Sequence, residues 1–184
     1  MKDFAGKTAV VTGAASGIGK AMALDFARRR MNVVLADIEP GPLEAAEKEV
    51  AALGAQAAAV VTDVAQHASV LALADAAFKK FGAVHIVCNN AGVAHSSPLE
   101  TARHQDWEWL IGVNLWGVIH GVEAFVPRMV AQGQGGHVVN TASMAGLIAS
   151  KGMGVYNTTK YAVVGLSETL QRDLREYEIG VSVV

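Results

Sequence analysis

Cysteine, proline and charge are all scarce in this 184-residue chain: one Cys, four Pro and a charged fraction of 17%. A lone thiol, Cys88, excludes an intrachain disulfide framework and a cysteine-based zinc site, and it matches a reducing compartment. Four prolines against 19 glycines argue for tight turns and against a proline-rich linker. Globular domains average about 25% charged residues, so this chain is more apolar than most and is not disordered. Its 15 Lys and Arg against 17 Asp and Glu leave a net charge of −2. No basic field is present to recruit nucleic acid or anionic lipid. The longest strongly apolar run, residues 109–122, lies between Glu108 and Glu123 and falls short of the ~20 residues a bilayer span requires. It also contains Asn114 and His120, so a buried or interface helix is expected rather than a membrane anchor. The opening residues Met1 to Lys7 hold no apolar leader, and the cytoplasm is the expected location. The six histidines, at 67, 85, 95, 104, 120 and 137, show no ligand spacing, and no metal is expected.

What the chain does have is 52% hydrophobic residues in short runs. Its length suits one domain over residues 1–184 with a sizeable core, because about 150 residues already bury roughly 70% of their extended surface. Apolar runs ended by Gly, Asp or Asn predict strands at 8–12, 32–36, 57–62, 84–88, 137–141 and 180–184. Helical periodicity predicts helices over 18–30, 42–53, 68–81, 104–131 and 155–178. The first ends in three arginines, which suit a helix C-terminus, and the second opens on Pro42. Strand and helix alternate throughout, so the fold class is α/β, a doubly wound parallel sheet with helices on both faces in three layers.

The loop Thr12-Gly13-Ala14-Ala15-Ser16-Gly17-Ile18-Gly19 joins the first strand to the first helix. One glycine permits a tight turn, another lets the main chain approach a diphosphate, and a third lets the helix pack near the strand. Three glycines alone also describe a plain structural turn. Here the loop is answered by Asp37 at the end of the second strand, 24 residues beyond Gly13, near the spacing of a carboxylate that accepts from adenosine ribose hydroxyls. An acid there repels a 2′-phosphate, so NAD(H) is favoured over NADP(H). Ile38 and Glu39 follow it where a basic residue would serve NADP. Asp63-Val64 after the third strand and Asn90-Ala91-Gly92 after the fourth add polar and small residues at further strand ends, where open α/β sheets bind ligands. Asp63 could bond the adenine amino group; Asn and Gly are equally common as turn formers.

Tyr156 and Lys160 stand four residues apart at the start of the last helix, hence on one face. A fixed cation beside a phenol favours the phenolate, the form needed for base chemistry. An exposed pair at this spacing is also ordinary helix surface. Ser143, thirteen residues upstream, adds a hydroxyl able to donate to a developing alkoxide. Ala94, His95, Met144, Leu147 and Met153 flank these positions and suggest an apolar substrate wall. Trp107, Trp109 and Trp116 fall in one helical region, with core packing the default expectation.

The ordered set Thr12-Gly13-x-x-x-Gly17-Ile18-Gly19, Asp63-Val64, Asn89-Asn90-Ala91-Gly92, Asn114, Ser143 and Tyr156-x-x-x-Lys160 resembles the short-chain dehydrogenase/reductase family, from residue 7 to the last residue. The resemblance implies a Rossmann-type fold and hydride transfer between NAD(H) and a secondary alcohol or ketone. It makes Tyr156 the acid/base, while Lys160 lowers its pKa and holds the nicotinamide ribose. Ser143 positions the substrate oxygen, and Asn114 anchors a water in the proton relay. It further implies a homo-oligomer through the tryptophan-bearing helix and the Tyr156 helix. Chains of that family continue past the strand at 180–184 into a substrate-covering segment, so these residues read as part of a longer polypeptide. The alternative is a nucleotide-binding or interaction protein of the same fold without turnover.

Overall fold

The computed structural model describes residues 3–184; Met1 and Lys2, the start of the segment read above for a leader, lie outside the described residues. Six strands, β1 (Thr8–Thr12), β2 (Asn32–Asp37), β3 (Ala57–Val61), β4 (Ile86–Asn89), β5 (Gly136–Asn140) and β6 (Ile179–Val183), form one sheet in the order β3-β2-β1-β4-β5-β6. All pairings are parallel. The helices are α1 (Gly17–Arg28), α2 (Pro40–Ala52), α3 (His67–Phe81), α4 (His104–Ile111), α5 (Gly117–Gln132) and α6 (Gly154–Asp173). This is the Rossmann-type doubly wound sheet expected. Its strand order reverses between β1 and β4, which opens a crevice at the carboxyl ends of those strands.

Alternation along each strand divides the core into two layers. Ala9, Val11, Val33, Leu35 and Cys88 face Ala23, Leu43 and Val50 of α1 and α2. Val10, Val34, Val87 and Val138 face Leu73, Phe125 and Met129 of α3 and α5. Burial pushes the Cys88 thiol up to about 12, so it stays a protonated packing group. A buried polar chain crosses to α6: Asn89 Nδ2 donates to Asn140 Oδ1 at 2.9 Å, Asn140 Nδ2 to Ser167 Oγ at 2.9 Å, and Ser167 Oγ to the Val163 carbonyl at 2.6 Å. The remaining Asn89 oxygen has no hydrogen-bond partner and lies against Gly121 of α5, where any Cβ would collide with it.

Several boundaries differ from the sequence reading, each for a local reason. Helix α1 stops at Arg28; Arg30 turns left-handed (φ 61°) and its carbonyl accepts from Gly6 N at 2.9 Å, so a single arginine occupies the last turn. Helix α2 opens at Pro40, two residues before Pro42. Strand β4 begins at Ile86 because the Gln132 side chain claims both backbone groups of Val84. Helix α6 ends at Asp173, where the chain tightens through a 3₁₀ turn, Arg175–Tyr177, and left-handed Glu178 before β6.

The largest difference lies in the helix expected over 104–131. Between α4 and α5 runs a π-helical turn, Gly112–Trp116, with Asn114 at its centre. One extra residue per turn rotates everything downstream, and such turns recur at functional sites. The joined segment His104–Gln132 is long and apolar enough to cross a membrane by length and composition, longer than the 109–122 run suggested. Half of its most apolar window is buried inside the protein, and α5 packs on α3 and β4.

Two glycines should respond oppositely to alanine. Gly121→Ala overpacks the Asn89 slot and is expected to cost about 1–3 kcal/mol. Gly165→Ala, in α6 with nothing within 4 Å, should gain up to about 1 kcal/mol. Urea midpoints at unchanged slope measure both.

Candidate active site

A hydrogen-bond junction holds the crevice open. Thr12 Oγ1 accepts from Asn90 N at 2.9 Å and Ala91 N at 3.0 Å and donates to the Cys88 carbonyl at 3.2 Å. Asn90 Nδ2 donates to the Thr12 carbonyl at 3.0 Å, and Thr141 Oγ1 donates to Asn90 Oδ1 at 3.2 Å. The ends of β1, β4 and β5 are thereby tied through one side chain. Gly13 lies so near that a Cβ would sit 2.9 Å from Ala91 Cα. At Gly19 a Cβ would collide with the Gly13 carbonyl, so only glycine lets α1 start this close to the strand. Ser16 is the N-cap of α1 and makes no side-chain capping bond, leaving the first-turn N–H groups to a ligand.

Asp37 ends β2 with its carboxylate turned to the loop: Oδ2 accepts from Ala15 N at 3.0 Å and Oδ1 from Glu39 N at 3.2 Å. Lys20, the cation of α1 nearest the loop in sequence, is paired to Glu49 at 2.7 Å. Asp63 makes a tight turn, Oδ1 accepting from Ala65 N at 2.9 Å, and its own N–H donates to Ser69 Oγ at 3.1 Å.

Across the crevice, Lys160 is buried, 3% exposed, and its Nζ donates to the Thr141 carbonyl at 2.8 Å. Burial lowers its ammonium from 10.5 to about 8. The ammonium lies 5.6 Å from the centroid of the Tyr156 ring, so the pair expected from i,i+4 spacing is formed. Ser143 follows β5 as the cap of a 3₁₀ turn, Met144–Gly146, with Oγ accepting from Ala145 N at 3.1 Å. Asn157, which the sequence did not single out, stitches this stretch to α6 by donating to the carbonyls of Ala145 and Ile148.

Asn114 clamps the backbone of Val93: Oδ1 accepts from Val93 N and Nδ2 donates to Val93 O, both at 2.8 Å. Its Nδ2 also reaches Thr159 Oγ1 at 3.3 Å, and that hydroxyl donates to the Tyr156 carbonyl at 2.8 Å. The π-turn is thus bonded both to the segment after β4 and to the helix bearing Tyr156.

These elements enclose a cleft of about 1060 Å³. Gly13, Ser16, Gly17, Ile18 and Gly19 line it, as do Asp37, Ile38, Asp63 and Val64. So do Asn90, Ala91, Gly92, Ser143, Tyr156 and Lys160; Asn114 stands behind the wall. Of the expected substrate wall only Ala94 reaches the cleft, while Met144 and Leu147 project outward, 67% and 62% exposed. Sequence reasoning missed Trp109 and Val113, which line it one helical turn apart. Core packing was the wrong expectation for Trp109 and Trp116: each is 49% exposed, because the stripe that α4 and α5 bury is carried by Leu110, Val118 and Phe125. The histidines are bonded or stand by carboxylates, and among the described residues no group of His, Cys, Asp and Glu could hold a metal ion.

Comparison with known proteins agrees with this geometry. The short chain dehydrogenase family model matches residues 7–184. The crystal structure of a short chain dehydrogenase/reductase from Burkholderia phymatum, in complex with NAD, superposes with a TM-score of 0.97 at 48% identity, covering 100% of this chain and 66% of that one. A Mycobacterium tuberculosis protein named as an oxidoreductase, SadH, is 43% identical over 174 residues, 95% of this chain and 63% of the relative. A C alpha-dehydrogenase of Sphingobium sp. strain SYK-6 is 39% identical over 184 residues, 100% of this chain and 60% of the relative. The chain therefore spans somewhat less than two thirds of the length of these relatives. By the extent of that match, and by a strand order and cleft that agree with it, the chain belongs to the short-chain dehydrogenase family.

Proposed function

We propose that the protein is an NAD-dependent oxidoreductase acting on CH–OH groups, interconverting a secondary alcohol and its ketone with Tyr156 as acid/base. The observation that carries this reading is the meeting of Ser143, Tyr156 and Lys160 in the same cleft as an uncapped, glycine-lined helix start. The residues fit a dinucleotide, since the glycines at 13 and 19 let the loop fold tightly against Ala91 and Asn90, where a Cβ would collide, and the α1 N–H groups are free of side-chain caps. The loop amides would hold the diphosphate, Asp37 the adenosine ribose, Asp63 and Val64 the adenine, Asn90 to Gly92 the middle of the cofactor, and Tyr156 with Lys160 the nicotinamide ribose. When bound, the cofactor accepts or returns the hydride of the carbinol carbon.

The chain's own residues manage the proton. In the oxidation direction the Tyr156 phenolate oxygen takes the hydroxyl proton as the carbonyl forms, and in reduction it gives that proton back. The Lys160 ammonium stands beside the Tyr156 ring, and its bond to the Thr141 carbonyl fixes where that charge sits. Ser143 Oγ donates to the substrate oxygen as charge develops there. Asn114 holds the π-turn in place and would anchor a water of the proton relay. The substrate proposed is a small apolar alcohol or ketone, supported by Val93, Ala94, Ala142 and Val184 in the cleft lining. The half-exposed Trp116 and the groove of Val122, Leu166 and Leu170 between α5 and α6 support association of like chains.

Tyr156→Phe should abolish turnover, read at the NADH absorbance band with secondary alcohols, while weakening NADH binding by no more than about tenfold, the loss of one hydrogen bond to the ribose; retained turnover would remove the tyrosine from its role. Asp37→Ser, which removes the repulsion of a 2′-phosphate, should shift the NAD over NADP preference by about tenfold or more toward NADP, about 1.4 kcal/mol; an unchanged ratio of binding constants counts against the assignment. Lys160 passes from cation to neutral amine as pH rises through about 8. NADH affinity should accordingly fall over that interval in the native protein and lose this titration in Lys160→Met, as followed by NADH fluorescence.

A further inference from the structure

His120 is a polar residue in the most apolar helix of the fold and is buried, 7% exposed. Its Nδ1 lies 2.9 Å from the carbonyl oxygen of Val64. A carbonyl only accepts, so the imidazole carries its proton on Nδ1 and donates. Val64 follows Asp63 and lines the cleft beside it, on the loop between β3 and α3. Three positions earlier on the same face of α5 stands Gly117, where a Cβ would sit 2.9 Å from Val64 Cγ2. Helix α5 is thus seated on Val64 twice, by a glycine that admits the side chain and by a histidine that binds the carbonyl. The ring has two aromatic neighbours: Trp116 stacks on it at 5.5 Å between centroids, and His67 lies tilted against it at 5.1 Å.

We propose that His120 is a positioning residue for the nucleotide end of the cleft, fixing the Asp63–Val64 turn through its Nδ1–H bond to the Val64 carbonyl. The proposal rests on reading the cleft as the cofactor site. The local geometry makes the bond consequential. Asp63 spends one carboxylate oxygen on Ala65 N, two residues on, so the carboxylate's direction depends on where the 63–65 backbone is held. Ser69 anchors that backbone at the Asp63 N–H, and His120 anchors it at the Val64 carbonyl. The π-turn just upstream sets the rotation of α5, so Asn114 faces Val93 while Gly117 and His120 face Val64. One helix therefore references both ends of the cleft.

The test separates the donor from the ring. His120→Phe keeps a planar ring and loses the donor, and His120→Gln moves its donor beyond the Nδ1 position. His120→Asn places an amide N–H close to where Nδ1–H stood. NADH binding is measured by fluorescence titration, with hydrogen exchange of segment 63–66 in the cofactor-free protein as an independent readout. Phe and Gln should each weaken NADH about tenfold and speed exchange in that segment, with kcat at saturating cofactor within about twofold of native, while Asn restores both readouts. If Phe fails to fold, Gln against Asn decides the same question. Native NADH affinity in the folded donor-less variants, equal weakening in Asn, or a fall in kcat at unchanged affinity would overturn the proposal. A native protein that binds no NADH would refute the cofactor reading itself and this inference with it; a native protein that binds while Phe and Gln bind equally well refutes this inference alone.

Discussion

Asn90 stands where three strands end, and its amide is the joint on which the cleft is built. A parallel sheet leaves its carboxyl edge unsupported by hairpins, because each strand returns through a helix on one face or the other. At the switch between β1 and β4 the neighbouring connections diverge, so nothing covalent holds the crevice to a fixed width. The Asn90 side chain does so by bonding Thr12 on one side and Thr141 on the other. Gly13 and Gly19 follow from that joint: both crowd the Asn90 amide, and a methyl at either would push the loop away from it. Lys160 depends on it as well, since the carbonyl that receives its ammonium belongs to Thr141.

The half of the cleft built on the glycine loop was largely legible in the sequence, because its determinants are local. Strand, glycine loop and helix are contiguous, and the acids fall at strand ends that short apolar runs mark without tertiary information. Tyr156 and Lys160 were legible for the same reason, being one helical turn apart. The rest turns on contacts between distant segments. That Asn114 spends its amide on Val93 depends on an approach across 21 residues. The Gln132 side chain that delays β4 reaches back 48 residues. Trp109 looked like core because an indole in an apolar run carries no sign of the face it will occupy.

The π-turn links these two kinds of information. Periodicity read through 104–131 gives one uninterrupted helix, and its average is right. The extra residue at Gly112–Trp116 is the price of satisfying two docking demands on one rod, an amide clamp at Asn114 and a close seat on Val64 at Gly117. A regular helix has a fixed angle of about 100° per residue and cannot tune those directions independently. The local irregularity supplies the missing degree of freedom where two neighbours must be met.

The bond between Asn90 and Thr12 spans 78 residues of chain. Contacts of such separation are slow to form, since loop closure costs entropy before the contact returns any. The first βαβ unit can assemble from its own residues, but the crevice exists only after β4 has inserted beside β1 and β5 beside β4. Ligand binding in this fold is therefore a property of the completed sheet. A chain in which β4 has not yet paired with β1 has the glycine loop but no crevice for it to face.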